Sequence, residues 1–198
     1  MNFLAHFYLS GNQENIILGN FMGDFVKGNP FKKYPAPLAT AIQLHRQIDI
    51  FTDSHPKVKE SIALIRPLCG RYAGVASDMF YDHLLAKNWE RYHTLSLPKF
   101  SANMYSVLQS NVGLLPERAQ QTLFYMVKHN WLVNYAKIEG MRTALSNLEK
   151  RIRYNAPLEK SADLLESQYL SFENHFLSFF PELQLFVKDF LVEHKIED

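Results

Sequence analysis

Hydrophobic residues recur along the chain at helical rather than strand spacing. A first apolar segment, from Phe3 to Tyr8, ends at Gly11-Asn12. Alternating strand patterns are scarce, and the hairpin dipeptide Asn-Gly does not occur. The pattern therefore predicts an all-α protein of roughly eight to ten helices, with ends placed to within a few residues.

Glycine and proline divide the rest of the chain into helix-sized segments. Helices are predicted over about 14–26, 37–52 and 75–88, with later ones starting near Pro98, Pro116, Ile138 and Ser161 and after Pro181. Asp53 or Ser54 is expected to cap a fourth helix that has Pro56 in its first turn and is separated from the fifth by Gly70 and Gly74. Because the sequence shows no internal repeat and no linker-like segment, residues 1–198 are expected to form a single compact domain.

Composition narrows the class of protein. The chain is 47% hydrophobic and carries a formal charge of +1, which favours a globular core and argues against a nucleic-acid-binding protein. The single cysteine, Cys69, excludes a disulfide framework and a cysteine-rich zinc site. No apolar run approaches the ~20 residues that cross a bilayer, and the N-terminus lacks a signal-peptide pattern. A cytoplasmic protein without a membrane span is therefore expected.

Ionisable residues interrupt the apolar face of the third predicted helix. His45 and Asp49 are four residues apart and so project from one face, in the middle of a stripe that includes Ile42 and Ile48. An unpaired buried carboxylate is costly, so Asp49 needs a partner or a metal ion. Asp49 could instead pair with Arg46 or orient His45, and a single buried histidine is more often a structural residue than a ligand.

Two further apolar helices carry the same anomaly. The fifth predicted helix bears Asp78 and Asp82 on one face with His83 about 100° away, and Asp24 is the only acid of the second helix after Glu14. If the three helices converge, these groups form a His/Asp metal cluster. Carboxylates and imidazoles suit Mn²⁺, Fe²⁺, Mg²⁺ or Zn²⁺. Such an ion promotes hydrolysis by acidifying water and by offsetting charge on a phosphoryl oxygen.

Four ordered stretches carry a resemblance to a known family. They are MNFLAHFYLS at the N-terminus, GNFMGDFVKGNP from Gly19 to Pro30, LHRQIDIFTDSHP from Leu44 to Pro56, and SDMFYDHLLAKNW from Ser77 to Trp89. On these motifs the chain resembles the acyl carrier protein phosphodiesterases, a divergent branch of the HD phosphohydrolases. The resemblance implies an all-helical, HD-phosphohydrolase-like fold, although Asp82-His83 stands here in the reverse of the usual His-Asp order.

The resemblance also implies a reaction and a set of site residues. The reaction is hydrolysis of the phosphodiester that joins 4'-phosphopantetheine to a serine of holo-acyl carrier protein, with Mn²⁺ the expected metal and Mg²⁺ or Fe²⁺ the alternatives. Asp24, His45, Asp82 and His83 are the expected ligands. Asp78 or Asp49 would orient the attacking water. The remaining candidates are His6, which would bind metal or protonate the serine oxygen, and Asp53, which also reads as a helix cap.

Acyl carrier proteins are strongly acidic, so basic residues near the motifs are candidate partner contacts. These are Lys27, Lys32, Lys33, Arg46 and Arg71, each of which could equally be an ordinary solvated charge. Two other functions stay open at this point. One is an HD-type hydrolase of a small nucleotide or phosphate ester, and the other is a helical binding protein whose acids and histidines are structural. Oligomeric state is left undetermined by the sequence.

Overall fold

Helices make up the regular structure of residues 1–195, the part of the chain that the computed structural model describes. Within that range there are eleven α-helices, four short 3₁₀ turns and no β-strand. The helices are α1 (Phe3–Tyr8), α2 (Glu14–Met22), α3 (Ala36–Ser54), α4 (Pro56–Cys69), α5 (Ala73–Lys87), α6 (Leu97–Ser110), α7 (Glu117–Lys128), α8 (Trp131–Asn134), α9 (Ile138–Glu149), α10 (Ser161–Ser167) and α11 (Tyr169–Glu193). The predicted all-α class is confirmed.

The start of α4 differs from the sequence prediction. The expected cap at Asp53 or Ser54 is wrong, because α3 continues through Ser54. His55 caps α4 instead, since its Nδ1 accepts the backbone N–H of Lys57 at 3.2 Å. Gly74 was expected to separate α4 from α5 but lies inside α5, whereas Gly70 caps the C-terminus of α4 with φ +55°.

The last helix is longer than the sequence suggested. The expected start after Pro181 is wrong, because α11 runs unbroken from Tyr169 to Glu193. A proline inside a helix costs ~3 kcal/mol. Here Pro181 faces solvent, and the buried stripe continues on both sides of it through Phe172, Phe176, Phe179, Phe180, Leu183 and Val187. Burial of these side chains offsets the lost hydrogen bond.

One continuous core places α1, α2, α3 and α5 around a common centre. The core contains side chains from every part of the described chain, including Leu4, Phe21, Ile48, Phe80 and Phe176. Helices α2 and α3 approach so closely that a Cβ at Gly19 would overlap the Cβ of Ala41. This close contact sets the polar side chains of α1, α2 and α3 side by side. No helix within residues 1–195 has the length and apolar character needed to cross a membrane.

Candidate active site

Two buried histidines lie against each other where α1 meets α3. The rings of His6 and His45 stack with centroids 4.0 Å apart and planes inclined by 19°. Asp49, one turn after His45 on α3, reaches both rings. Its Oδ1 lies 3.2 Å from Nε2 of His6, and its Oδ2 lies 3.2 Å from Nε2 of His45. His45 and Asp49 project from one face of α3, as their spacing predicts, and His6 completes the group.

Asn20 orients both imidazoles from the other side. Nδ1 of His45 lies 2.8 Å from the backbone oxygen of Asn20, and Nδ1 of His6 lies 3.3 Å from the side-chain oxygen. The Asn20 amide nitrogen donates to Ser10 Oγ and to the His6 carbonyl, so its oxygen is the acceptor. Both Nδ1 atoms therefore donate to Asn20, and the Nε2 of each ring is the nitrogen that lies on the side of Asp49. Sequence reasoning missed Asn20, although an amide between Gly19 and Phe21 in a buried helix is a visible signal.

The donor set of this cluster suits a divalent metal ion. One ligand atom from each of His6, His45 and Asp49 lies within 4.8 Å of the others. Two imidazole nitrogens and a carboxylate oxygen match the preference of Mn²⁺, Fe²⁺ and Zn²⁺. The hydrogen bonds from Nδ1 to Asn20 are the kind of outer contact that fixes histidine ligands in metalloproteins. These three residues are the candidate metal centre.

Asp24 stands at the outer edge of the cluster. It follows α2 in the chain, and its Oδ1 lies 3.4 Å from Nε2 of His45, with 57% of its side chain exposed. The structure thus brings Asp24 next to two of the other predicted site residues, His45 and Asp49. Its exposed carboxylate can reach a ligand from the solvent side.

Burial and charge move the pKa values of the cluster in opposite directions. Burial lowers the pKa of His6 to about 4, and the neighbouring His45 adds to that effect. Burial also acts to lower the pKa of His45, but hydrogen bonds with Asp24 and Asp49 outweigh it and raise the pKa to about 9. The same two histidines hold the pKa of Asp49 well below its usual range, against the effect of burial. The carboxylate is thus ionised, as a metal ligand must be.

Asp78 lies beside the cluster and bonds the chain's first residue. The α-ammonium group of Met1 lies 3.0 Å from Oδ1 of Asp78 and 3.6 Å from Oδ1 of Asp49. Burial raises the pKa of the Asp78 carboxyl, while this ammonium group opposes the shift. Asp78 and Asp49 therefore share one cationic neighbour, and both face the same cavity.

Asp82 lies at the start of α1, outside the group formed by His6, His45 and Asp49. Both of its carboxylate oxygens accept backbone N–H bonds at the start of α1, from Leu4 at 2.7 Å and from Ala5 at 3.1 Å. The side chain is fully buried, which raises its pKa to about 7 despite those bonds. Asp82 lies outside the three-residue cluster and fixes the first turn of α1, the helix that carries His6.

His83 points away from Asp82, as expected for the next residue of a helix. Its Nδ1 donates to the backbone oxygen of Tyr135 at 2.7 Å, and its ring meets Tyr169 edge-on. Nε2 is buried without a hydrogen-bond partner in residues 1–195. Burial lowers the pKa of His83, so the ring is neutral near pH 7. The structure does not bring His83 into the cluster with His6, His45 and Asp49.

The five basic candidates for partner contact differ in their surroundings. Arg46 donates to the backbone oxygens of Val26 and Gly28 and so holds the segment after α2 in place. The Arg71 guanidinium lies 4.1 Å from the ring centre of Tyr154. Three lysines of the α2–α3 connection are exposed, at positions Lys27, Lys32 and Lys33. This lysine group is the part of the predicted set that is most open to a partner.

A cavity of about 850 Å³ opens beside the cluster. One wall carries four carboxylates, from Asp24, Asp49, Asp53 and Asp78. A second wall is built by α8, α9 and the residues around them, none of which falls in the four motifs. The volume lies within the ~300–1,000 Å³ of small-molecule sites. Four of the five predicted carboxylates, Asp53 among them, thus line a single space, and Asp82 does not.

Comparison with known proteins finds one family model and several similar proteins that match most of the chain. A family model described as "Acyl carrier protein phosphodiesterase" matches residues 1–183. A protein of that name from Photorhabdus laumondii is 34% identical over 91% of this chain and 92% of its own length. Another from Serratia proteamaculans is 33% identical over 96% and 98%. A third, from Yersinia pestis, is 32% identical over 92% and 95%. No solved structure matches the chain.

Proposed function

The chain belongs to the acyl carrier protein phosphodiesterase family, and on that premise we propose that it hydrolyses the phosphodiester linking 4'-phosphopantetheine to a serine of holo-acyl carrier protein. The products are apo-carrier and 4'-phosphopantetheine. The observation that carries the proposal is the family match over residues 1–183, which include every residue of the cluster and both walls of the cavity. The proposed setting is the cytoplasm, in keeping with a buried, unpaired Cys69.

The proposed activity depends on a divalent cation, with Mn²⁺ first and Mg²⁺ or Fe²⁺ as alternatives. His6, His45 and Asp49 would hold it, with Asp24 at the outer edge. When bound, the cation supplies a water of lowered pKa and charge compensation for the phosphoryl oxygens. The HD-like relationship of the fold is part of this proposal as well. Asp82 anchors α1 by accepting hydrogen bonds from the backbone N–H groups of Leu4 and Ala5.

The chain's own groups then have distinct tasks. The Nε2 of His6 faces Asp49 in a buried position, which favours His6 as a ligand over a donor to the serine oxygen. Asp78 lines the cavity and can accept a hydrogen bond from the attacking water. The exposed Asp24 carboxylate is placed to contact a group entering from solvent.

The direct test uses the purified protein, Mn²⁺ and holo-acyl carrier protein, with the carrier weighed by mass spectrometry. The expected result is loss of the mass of 4'-phosphopantetheine and appearance of apo-carrier. His45→Ala should abolish this loss, whereas His194→Ala, at an exposed position beyond α11, should not. Intact holo-carrier after prolonged incubation with the metal-loaded wild type would refute the proposal.

The cavity volume also admits a nucleotide, which keeps a small phosphate ester as the second candidate substrate. Parallel incubations with nucleoside phosphates separate the two. Hydrolysis of a nucleotide in place of the carrier would favour this alternative.

A further inference from the structure

Helix α9 presents two parallel ridges to the cavity. Side chains four residues apart on a helix form a continuous row. One row is polar and consists of Glu139, Thr143, Asn147 and, two residues past the helix end, Arg151. The row beside it is apolar and consists of Gly140, Ala144 and Leu148. The wall that α9 contributes to the cavity is therefore amphipathic along its whole length.

Core packing does not account for the polar row. The core-facing residues of α9 are Met141 and Leu145, both fully buried. Thr143 and Asn147 are exposed instead, and both line the cavity. Within residues 1–195 the Asn147 side chain makes no hydrogen bond, so its amide oxygen and nitrogen are available to a ligand.

Charge distinguishes the α9 wall from the carboxylate wall. Lys137 and Arg151 line the cavity, and neither pairs with a carboxylate within the described chain. Glu139, the acid on this wall, lies 3.8 Å from Nε of Arg142, which pairs more closely with Asp163 and Glu166. A phosphodiester bound between the walls thus has carboxylates on one side and free cations on the other.

Resting on the proposed function, we propose that the α9 wall binds the pantetheine arm of the substrate. The arm carries two amides and a hydroxyl along an otherwise apolar chain. Asn147 matches the amides as a hydrogen-bond donor and acceptor, and the Thr143 hydroxyl, which donates to the Glu139 carbonyl at 2.8 Å, can accept from an amide N–H. Ala144 and Leu148 match the apolar carbons. The α9 wall thereby selects a pantetheine ester over other phosphodiesters, while the cluster around His45 performs the same chemistry on any of them.

The test removes the Asn147 amide with Asn147→Leu. Asn103→Leu is the matched control, because Asn103 is also exposed on a helix, α6, and does not line the cavity. Pantetheine itself, which lacks the phosphate, is titrated into each protein by calorimetry. Steady-state kinetics follow with holo-acyl carrier protein and with bis(p-nitrophenyl) phosphate, a diester that has no arm.

The expected result is a Kd for pantetheine and a KM for holo-carrier about fivefold to tenfold higher in Asn147→Leu, the loss of one or two hydrogen bonds. Turnover of bis(p-nitrophenyl) phosphate should equal that of the wild type, as should every value for Asn103→Leu. The proposal is overturned if the wild type does not bind pantetheine, or if Asn147→Leu binds it unchanged. Failure of the proposed function is a separate result, in which the wild type binds pantetheine but leaves holo-carrier intact.

Discussion

Asn20 is a small residue-scale feature with a large expected effect on the cluster. Its side-chain oxygen accepts from His6, whereas its backbone oxygen accepts from His45. Asn20→Ala therefore removes the outer partner of one imidazole and leaves that of the other. We expect Mn²⁺ affinity to fall by about 10–100-fold, the usual cost of losing such a contact. Calorimetric titration of the metal measures it, with Asn103→Ala as the control. Unchanged affinity would mean that packing alone orients His6.

His83 provides a second residue-scale prediction, about stability and pH. His83→Phe keeps a ring at the position but leaves the Tyr135 carbonyl without its hydrogen bond. The free energy of unfolding should therefore fall by ~1–3 kcal/mol near pH 7.5. Burial lowers the pKa of His83, so its stabilising contribution is present above about pH 6.5, its ordinary pKa, and is lost as pH falls below that value.

The difference in unfolding free energy between wild type and His83→Phe should therefore shrink from pH 7.5 towards pH 5. Urea denaturation at several pH values measures it, with His194→Phe to account for an exposed histidine. A difference that stays constant with pH would show that His83 does not titrate with folding. If His83 were instead a metal ligand, the variant would also lose metal, which the same titration used for Asn20 detects.

At the scale of elements, the approach of α2 to α3 controls the site. Gly23, directly after α2, faces His45, and a Cβ there would overlap the imidazole ring. Its backbone is in the right-handed helical region, so alanine is disfavoured only by this overlap. Gly23→Ala should displace the His45 ring, reduce metal affinity and turnover at least tenfold, and destabilise the fold by ~1–3 kcal/mol.

Gly74→Ala is the matched control for that change. It lies inside α5, and nothing stands within 4 Å of its added Cβ. Alanine is the better helix former by roughly 1 kcal/mol, so this variant should be as stable as the wild type or more so, with full turnover. Thermal melting measures the stability of both variants, and assays with holo-carrier measure their turnover. Equal activity of Gly23→Ala and Gly74→Ala would show that His45 tolerates displacement.

Element patterns were the most predictable part of this molecule. Apolar spacing gave the helical class, and the i, i+4 pair His45 and Asp49 correctly indicated a shared inward face. What the local pattern did not reveal depends on the packing of distant segments. Pro181 breaks a local pattern, but the buried phenylalanines on both sides of it keep α11 continuous. Asp82 has the helical phase of a ligand, yet its oxygens meet the N–H groups of α1, 78 and 77 residues away in sequence.

At the scale of the whole molecule, a formal charge of +1 leaves recognition of an acidic carrier to local groups. The exposed lysine group, Lys27, Lys32 and Lys33, comes soon after Asp24 in the chain. Arg46 holds the start of this segment in place by donating to the backbone oxygens of Val26 and Gly28. Replacing the three lysines with glutamate should raise KM for holo-carrier about tenfold at low salt, because electrostatic steering acts on association. The effect should disappear at high salt, where a Debye length of about 3 Å at 1 M screens exposed charges.

A control with the same change in net charge separates a docking surface from a general charge effect. Glutamate at Lys99, Lys160 and Lys188, all exposed and outside the motifs, meets that requirement. If the lysine group guides the carrier, its variant has the higher KM and the flatter salt dependence, and bis(p-nitrophenyl) phosphate is turned over equally by both. Equal KM values for the two variants would locate carrier recognition elsewhere. The cluster would then still account for the chemistry, since none of the six lysines contacts His6, His45 or Asp49.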